Sequence, residues 1–301
     1  MKNTTKKNKL FDKAVYIVLI LFTIIAPTVY LPGQIYYQRK TPANIEGQGK
    51  YCDLTFFFEN HEDYIIDGYN NYKLHATFIP CSENTDKFVI LVHGNTSQRF
   101  SQLHTASIYN KLGYNCIIYD TRSFGDNKKC QITYGDLESK DLMCVIADTR
   151  EKYPDIKILG LHGESMGAST ILTSLQYNPE INFCIVDSPY AKLHTTIEYF
   201  YHMNPTVLKI INFFGKIYYR KSIYNYEPID YVSMATIPIM YIAGTNDHTI
   251  NYHDSCKLYN KTPSPKRLIL VEGMEHIESS YHDMNRYENY ITSFLQDNNI
   301  Y

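Results

Sequence analysis

Five residues, Gly163-Glu164-Ser165-Met166-Gly167, restrict this chain more than any others. They sit between an apolar run, Ile158-Leu159-Gly160-Leu161, and a helix-forming run that begins Ala168-Ser169-Thr170-Ile171-Leu172. A serine on a tight strand-to-helix turn has a strained backbone. The residues two before and two after it must be small, because their Cβ atoms would strike the neighbouring chain. Such a turn lifts Oγ clear of the sheet. It also sets the following backbone N–H groups at a helix N-terminus, where they face developing negative charge. A glycine-rich turn with an incidental serine would carry the same pentapeptide. The strand before it and the helix after it separate the two readings.

The rest of the chain supplies the alternation that such a turn requires. Residues 54–60 and 72–80 read as strands, with the turn-prone Asp67-Gly68-Tyr69-Asn70-Asn71 between them. Residues 88–92 (FVILV) are a short, fully apolar run of the kind found in buried parallel strands. Further strands are expected at 116–119, 156–161, 183–186, 237–242 and 267–271. Helices are expected over about 101–112, 138–153, 165–177 and 280–295. Repeated strand–helix alternation predicts an α/β fold: a mostly parallel central sheet covered by helices on both faces. Ligands then bind at the carboxyl ends of the strands.

Three further segments follow predicted strands and carry chemistry. His93-Gly94-Asn95 comes directly after FVILV, where a backbone N–H, assigned to Asn95, joins that of Met166 in an oxyanion hole. His93 itself reads as a structural histidine that holds its loop. Ala243-Gly244-Thr245-Asn246-Asp247 places a carboxylate where it can hold an imidazole in one tautomer. Gly273-Met274-Glu275-His276 places that imidazole on the last loop. The expected catalytic residues are therefore Ser165 as nucleophile, His276 as base and Asp247 as acid, in the chain order serine, acid, histidine. Asp187, after the strand ending at 186, stays open as a rival acid. His248 is expected to point away from the site, and His253 and His282 to be solvated. His162 reads as a packed loop residue. Glu164 fits either solvent or the site entrance.

The net charge of −2 gives no support to a nucleic-acid partner. There is no C-x-x-C pair and no His/Cys cluster with zinc spacing, and acyl transfer to water through a serine needs neither metal nor organic cofactor. Cys116, Cys144 and Cys184 sit in apolar contexts and read as core thiols. Cys52 and Cys81 are candidates for pairing if the domain lies outside the cytoplasm. Residues 14–31 carry no charge and follow Lys2, Lys6, Lys7, Lys9 and Lys13. Length and flanking charge predict a single transmembrane helix with a cytoplasmic N-terminus and the remaining domain across the membrane. A cleaved signal peptide, giving a secreted protein, is the alternative. This divides the chain into a basic tail and anchor at 1–40 and a domain at 41–301, with an insertion at about 190–233.

The segments HGN, YDTRSFGDN, TYGDLESKDL, GESMGAST, VDSPY, AGTNDH and GMEHIES occur in that order. Together they resemble α/β-hydrolases of the serine aminopeptidase and monoacylglycerol-lipase-like group, in particular its membrane-anchored bem46-like branch. The resemblance spans roughly residues 50–298. It implies an α/β-hydrolase fold with a small helical cap, hydrolase activity on ester substrates, and catalytic roles for Ser165, Asp247 and His276. One departure stands at Ser123, where relatives often have glycine. The insertion carries Phe200, Tyr201, Val207, Leu208, Ile210, Ile211, Phe213, Phe214, Ile217, Tyr218 and Tyr219, with Lys209, Lys216, Arg220 and Lys221 on a polar side. These apolar residues form an acyl pocket in one reading and pack the cap onto the domain in the other. The expected substrate is a small-molecule or lipid-like ester. A peptidase of the same fold, or a catalytically silent scaffold, are the alternatives.

Overall fold

A computed structural model of the protein describes residues 60–300 together with Tyr30, Gly33 and Phe58. Among the described residues eight strands form one sheet: β1 Glu62–Asp67, β2 Lys73–Ile79, β3 Lys87–Val92, β4 Asn115–Tyr119, β5 Ile158–Glu164, β6 Phe183–Asp187, β7 Ile239–Gly244 and β8 Lys266–Val271. Their order across the sheet is β1-β2-β4-β3-β5-β6-β7-β8. β2 runs antiparallel to β1 and β4, and every later pairing is parallel. The strand–helix alternation in the sequence leads to this arrangement, because parallel neighbours need a crossover between them.

Alternate strand residues feed two cores. Phe88, Ile90 and Val92 face one side with Leu159, Leu161, Cys184, Val186, Ile239 and Tyr241. That side is covered by α2 Asp136–Lys152, α3 Met166–Ser174 and α6 His253–Lys261, through residues such as Val145, Ile171 and Leu258. Val89 and Leu91 face the other side with Cys116, Ile118, Ile185, Met240 and Ile242. There α1 Leu103–Lys111 and α8 Met284–Asp297 pack through Leu103, Tyr109, Ile291 and Phe294. Side chains buried on both faces of a strand explain why these runs are apolar without alternation.

Between β6 and β7 the chain inserts α4 Leu193–Phe200, α5 Pro205–Tyr219 and three short 3-10 turns. α7 Ser279–His282 precedes α8, so the single terminal helix expected at 280–295 is broken at Asp283. The Asp283 side chain then caps α8 by accepting from Arg286 N at 3.0 Å.

Several local readings change. The first described strand is Glu62–Asp67, beyond the strand expected at 54–60, a segment that lies outside the described residues except for Phe58 and Asn60. β1 is an edge strand in which only Ile66 is fully buried, so its sequence lacks a strong apolar signal. His162 is a residue of β5 and not of a loop. Cys116 and Cys184 are buried in strands, whereas Cys144 is half-buried on α2. Cys81 is a free thiol, and Cys52 lies outside the described residues. The segment 14–31, apart from Tyr30, also lies outside them; among the described residues no helix is long and apolar enough to cross a membrane.

Candidate active site

The parallel register brings the loops after β3, β5, β6, β7 and β8 to one edge. Val92 pairs with Gly163, Glu164 with Asp187, Asp187 with Ile242, and Gly244 with Val271. Ser165 sits at the turn from β5 into α3 with φ 54° and ψ −118°. A left-handed backbone at a residue other than glycine costs on the order of 1–3 kcal/mol, and the surroundings enforce it. A Cβ on Gly163 would lie 2.7 Å from the Gly167 carbonyl carbon, and one on Gly167 only 2.1 Å from Val92 O. The two glycines therefore permit α3 to start directly against β3. The Ser165 N–H donates to Asp187 O at 2.8 Å, which fixes the turn from the other side.

Three of the predicted site residues meet. The Ser165 hydroxyl lies 2.9 Å from His276 Nε2, and His276 Nδ1 lies 2.7 Å from Asp247 Oδ2. The second carboxylate oxygen, Asp247 Oδ1, accepts from Thr249 N and Ile250 N, each at 2.8 Å. Those two N–H groups consume its lone pairs and aim Oδ2 at the imidazole. Asp247 is 2% exposed, so its charge is held by these donors and by His276 instead of by water. The acid and histidine loops are also joined backbone to backbone. Asn246 N donates to Met274 O at 2.9 Å, and Gly244 approaches Met274 O so closely that no Cβ would fit. Ile277, next to the histidine, has φ 52°, an uncommon state for a β-branched residue.

The loop after β3 runs against the serine: a Cβ on Gly94 would lie 3.2 Å from Ser165 Cβ. Asn95 lines the cleft beside Ser165. Met166 is the first residue of α3, so its N–H has no carbonyl one turn earlier in the helix. His93 braces this loop, as expected. Its Nδ1–H donates to Gly94 O at 2.7 Å, and its Nε2 accepts from Thr121 N at 2.9 Å. That tautomer is neutral, and burial pushes the His93 pKa down. Thr121 opens the TRSFGDN stretch, and the preceding Asp120 binds Arg99 through both backbone and guanidinium. Ser123 takes φ 74°, a conformation glycine would adopt without strain, and its hydroxyl donates to Cys130 O at 2.9 Å.

Asp187, the rival acid, does not reach His276. Its Oδ2 accepts from Tyr287 Oη at 3.0 Å and its Oδ1 from Ser188 Oγ at 2.9 Å. Burial raises its pKa to about 6. His162 continues the chain: Nε2 is 3.1 Å from Tyr287 Oη and Nδ1 is 3.1 Å from Tyr109 Oη. Burial lowers the His162 pKa to about 3, so the ring is neutral with one proton. Because Tyr287 donates to Asp187, His162 donates from Nε2 and accepts from Tyr109.

Glu164 is buried rather than solvated. Gln102 Nε2 donates to its Oε2 at 2.7 Å, and burial, reinforced by Asp187, raises its pKa to about 8. His104 Nε2 is 3.7 Å from Glu164 Oε1, but burial lowers the His104 pKa to about 4. This is therefore a contact of two neutral groups near pH 7. His248, His253 and His282 are exposed.

A cleft of about 460 Å³ opens at Ser165, lined by Asn95, Ser97, Glu164, Glu275, His276 and Glu278 among others. The exposed apolar cap residues Val207, Ile210, Phe213 and Ile217 do not line it. Buried cap residues Leu193, Ile197 and Leu208 instead join Met166 and Ile250 in a third apolar cluster. Sequence reasoning missed Tyr199, whose hydroxyl donates to Asp247 O at 2.9 Å and ties α4 to the acid loop. It also missed Gln102 and Tyr287, which hold Glu164 and Asp187 from distant helices and leave no local motif.

The arrangement activates a hydroxyl by a neutral base with a carboxylate behind it, next to backbone N–H groups at a helix start. That is the equipment of acyl transfer. Among known proteins, the family model described as "Serine aminopeptidase, S33" matches residues 83–234. The protein YqkD of Bacillus subtilis (strain 168) is 28% identical over 223 residues, covering 72% of this chain and 73% of YqkD. YfhR of Escherichia coli (strain K12) is 28% identical over 214 residues, covering 69% and 70%. The Pyrococcus furiosus esterase Pf2001 superposes with a TM-score of 0.69 at 23% identity, covering 87% of this chain and 98% of the esterase. Pyrococcus horikoshii acylaminoacyl peptidase superposes with a TM-score of 0.62 at 14% identity, covering 78% of this chain and 41% of the peptidase.

Proposed function

The chain belongs to the serine aminopeptidase family of α/β-hydrolases, and from that premise we propose that it hydrolyses carboxylic esters through an acyl-enzyme on Ser165. The reading is carried by one observation: the unbroken line from Ser165 Oγ through His276 to Asp247 Oδ2, at 2.9 and 2.7 Å. His276 Nε2 takes the serine proton as Oγ attacks the ester carbonyl. The oxyanion that forms is met by the N–H groups of Asn95 and Met166, each such donor being worth about 2.7–4 kcal/mol in the transition state. The imidazolium, stabilised by Asp247, then protonates the departing alkoxide. Water repeats the sequence on the acyl-enzyme and returns the proton to His276. No step calls for a metal or cofactor.

The cleft at Ser165 is lined largely by polar groups, Asn95, Thr96, Ser97, Glu275 and Glu278 among them, and no apolar residue of the cap lines it. Short and medium acyl esters match this cleft better than a long acyl chain laid along the outward-facing residues of α5. A peptidase reading has one observation in its favour: Glu275 and Glu278 line the cleft and offer carboxylates to a substrate amine. We place the domain outside the cytoplasm, held by residues 14–31; the lysines that precede this run and the likeness of the motifs to the membrane-anchored bem46-like branch support the reading.

A fluorophosphonate probe tests the central point. The full chain is expected to label at Ser165 and Ser165→Ala not at all; absence of labelling in the unaltered chain would favour a silent scaffold. Comparing p-nitrophenyl esters with aminoacyl p-nitroanilides then decides between esterase and peptidase.

A further inference from the structure

The cap helix α5 has two apolar faces, and only one of them is used. Leu208, Ile211 and Gly215 are buried against the domain. Val207, Ile210, Phe213, Ile217 and Tyr218 recur at helical spacing and are 46–58% exposed. Phe200 and Tyr201, 47% and 58% exposed, extend the same kind of surface from the end of α4. Exposed large apolar residues gathered on one helix mark a contact surface, whereas scattered ones would not. Lys209, Lys216 and Arg220 are also exposed and alternate along the chain with the apolar positions. A helix with an apolar face flanked by basic side chains lies in the plane of an anionic bilayer surface.

The chain itself says where that surface lies. The apolar run 14–31 ends just before Gly33, and a Cβ on Gly33 would sit 3.0 Å from Tyr219 Oη, at the last turn of α5. The chain that follows this apolar run therefore meets the C-terminal end of α5, the helix that carries the exposed face, beside the half-buried Tyr219. We propose that the outward face of α5 docks on the headgroup–acyl boundary of the membrane that residues 14–31 enter, with Lys209, Lys216 and Arg220 on anionic headgroups. This requires nothing of the chemistry at Ser165, so its failure and that of the hydrolase reading are separate events.

The sequence contains no tryptophan, which makes a single introduced one a clean reporter. Phe213→Trp and, as a control, Leu270→Trp on the exposed edge strand β8 are to be made in the full chain. Both are reconstituted in phosphatidylcholine vesicles containing phosphatidylglycerol and acyl chains brominated near the headgroup. Phe213→Trp is expected to shift to the blue and to be quenched at least about twofold more than Leu270→Trp, since an interfacial helix face sits roughly 5–10 Å into the boundary. Adding Lys209→Glu and Lys216→Glu is expected to reduce that quenching. Equal quenching of the two reporters overturns the proposal. So does a Phe213→Trp emission already blue without lipid and indifferent to bromine, which would place residues 14–31 on the face. A blue emission that is lost on dilution would place a second copy there and overturn it equally.

Discussion

Two aspartates stand at the ends of neighbouring strands, Asp187 closing β6 and Asp247 three residues beyond β7, and both are buried. Asp247 has one oxygen saturated by two backbone N–H groups and the other turned to His276. Asp187 has both oxygens taken by hydroxyl donors, Ser188 and Tyr287, and faces the interior. Its service to the site comes from its main chain, whose carbonyl receives the Ser165 N–H. The contrast shows that strand position alone does not bring an acid to the histidine. The three residues after the strand do, because they let the carboxylate turn back towards the cleft.

Substitution tests this contrast directly, and the largest effect is expected at Asp247. Asp247→Asn keeps the size of the side chain but favours the wrong imidazole tautomer, so kcat should fall on the order of 10⁴-fold with the fold intact by circular dichroism. Asp187→Asn, assayed beside it, should lose no more than about threefold, because the Asp187 carbonyl is untouched and an amide oxygen still accepts from Tyr287. The opposite pattern would transfer the acid role to Asp187. A subtler difference lies in pH. Burial raises the Glu164 pKa from 4.5 to about 8, so the folded chain holds a proton that the unfolded chain has released. Stability from this group is complete below about pH 4.5 and is lost as pH rises through 8. Glu164→Gln should flatten that decline, raising Tm at pH 8 clearly more than at pH 5. An unchanged melting profile from pH 5 to about 8 would mean that Glu164 is not held neutral.

The strands and the serine turn were legible because each depends on residues adjacent in sequence. FVILV, CIIY and IMYI are apolar throughout, and glycine on either side of Ser165 answers a steric demand that only a strand–helix turn creates. Asp247 and His276 were legible through chain order and the strands before them. The edge strand β1 was not, since half-exposed strands need few apolar residues. Nor was the burial of Glu164, because Gln102 and His104, which enclose it, come from a segment more than fifty residues away. The insertion was legible as amphipathic, but periodicity cannot tell which of two apolar faces meets the protein. The structure assigns Leu208 and Ile211 inward and Ile210 and Ile217 outward.

The contact of Gly167 with Val92 O has a consequence for how this enzyme could acquire new substrates. It welds the serine's helix to the strand that leads into Asn95, so Ser165, Met166 and the loop after β3 form one solid block, the block on which the proposed anion site would stand. Such a block resists remodelling: a shift that enlarges it for one carbonyl spoils it for all. Diversification is then channelled into α4 and α5, which lie outside the block, α4 being tied through Tyr199 to the acid loop instead, and which can drift while the block keeps its shape.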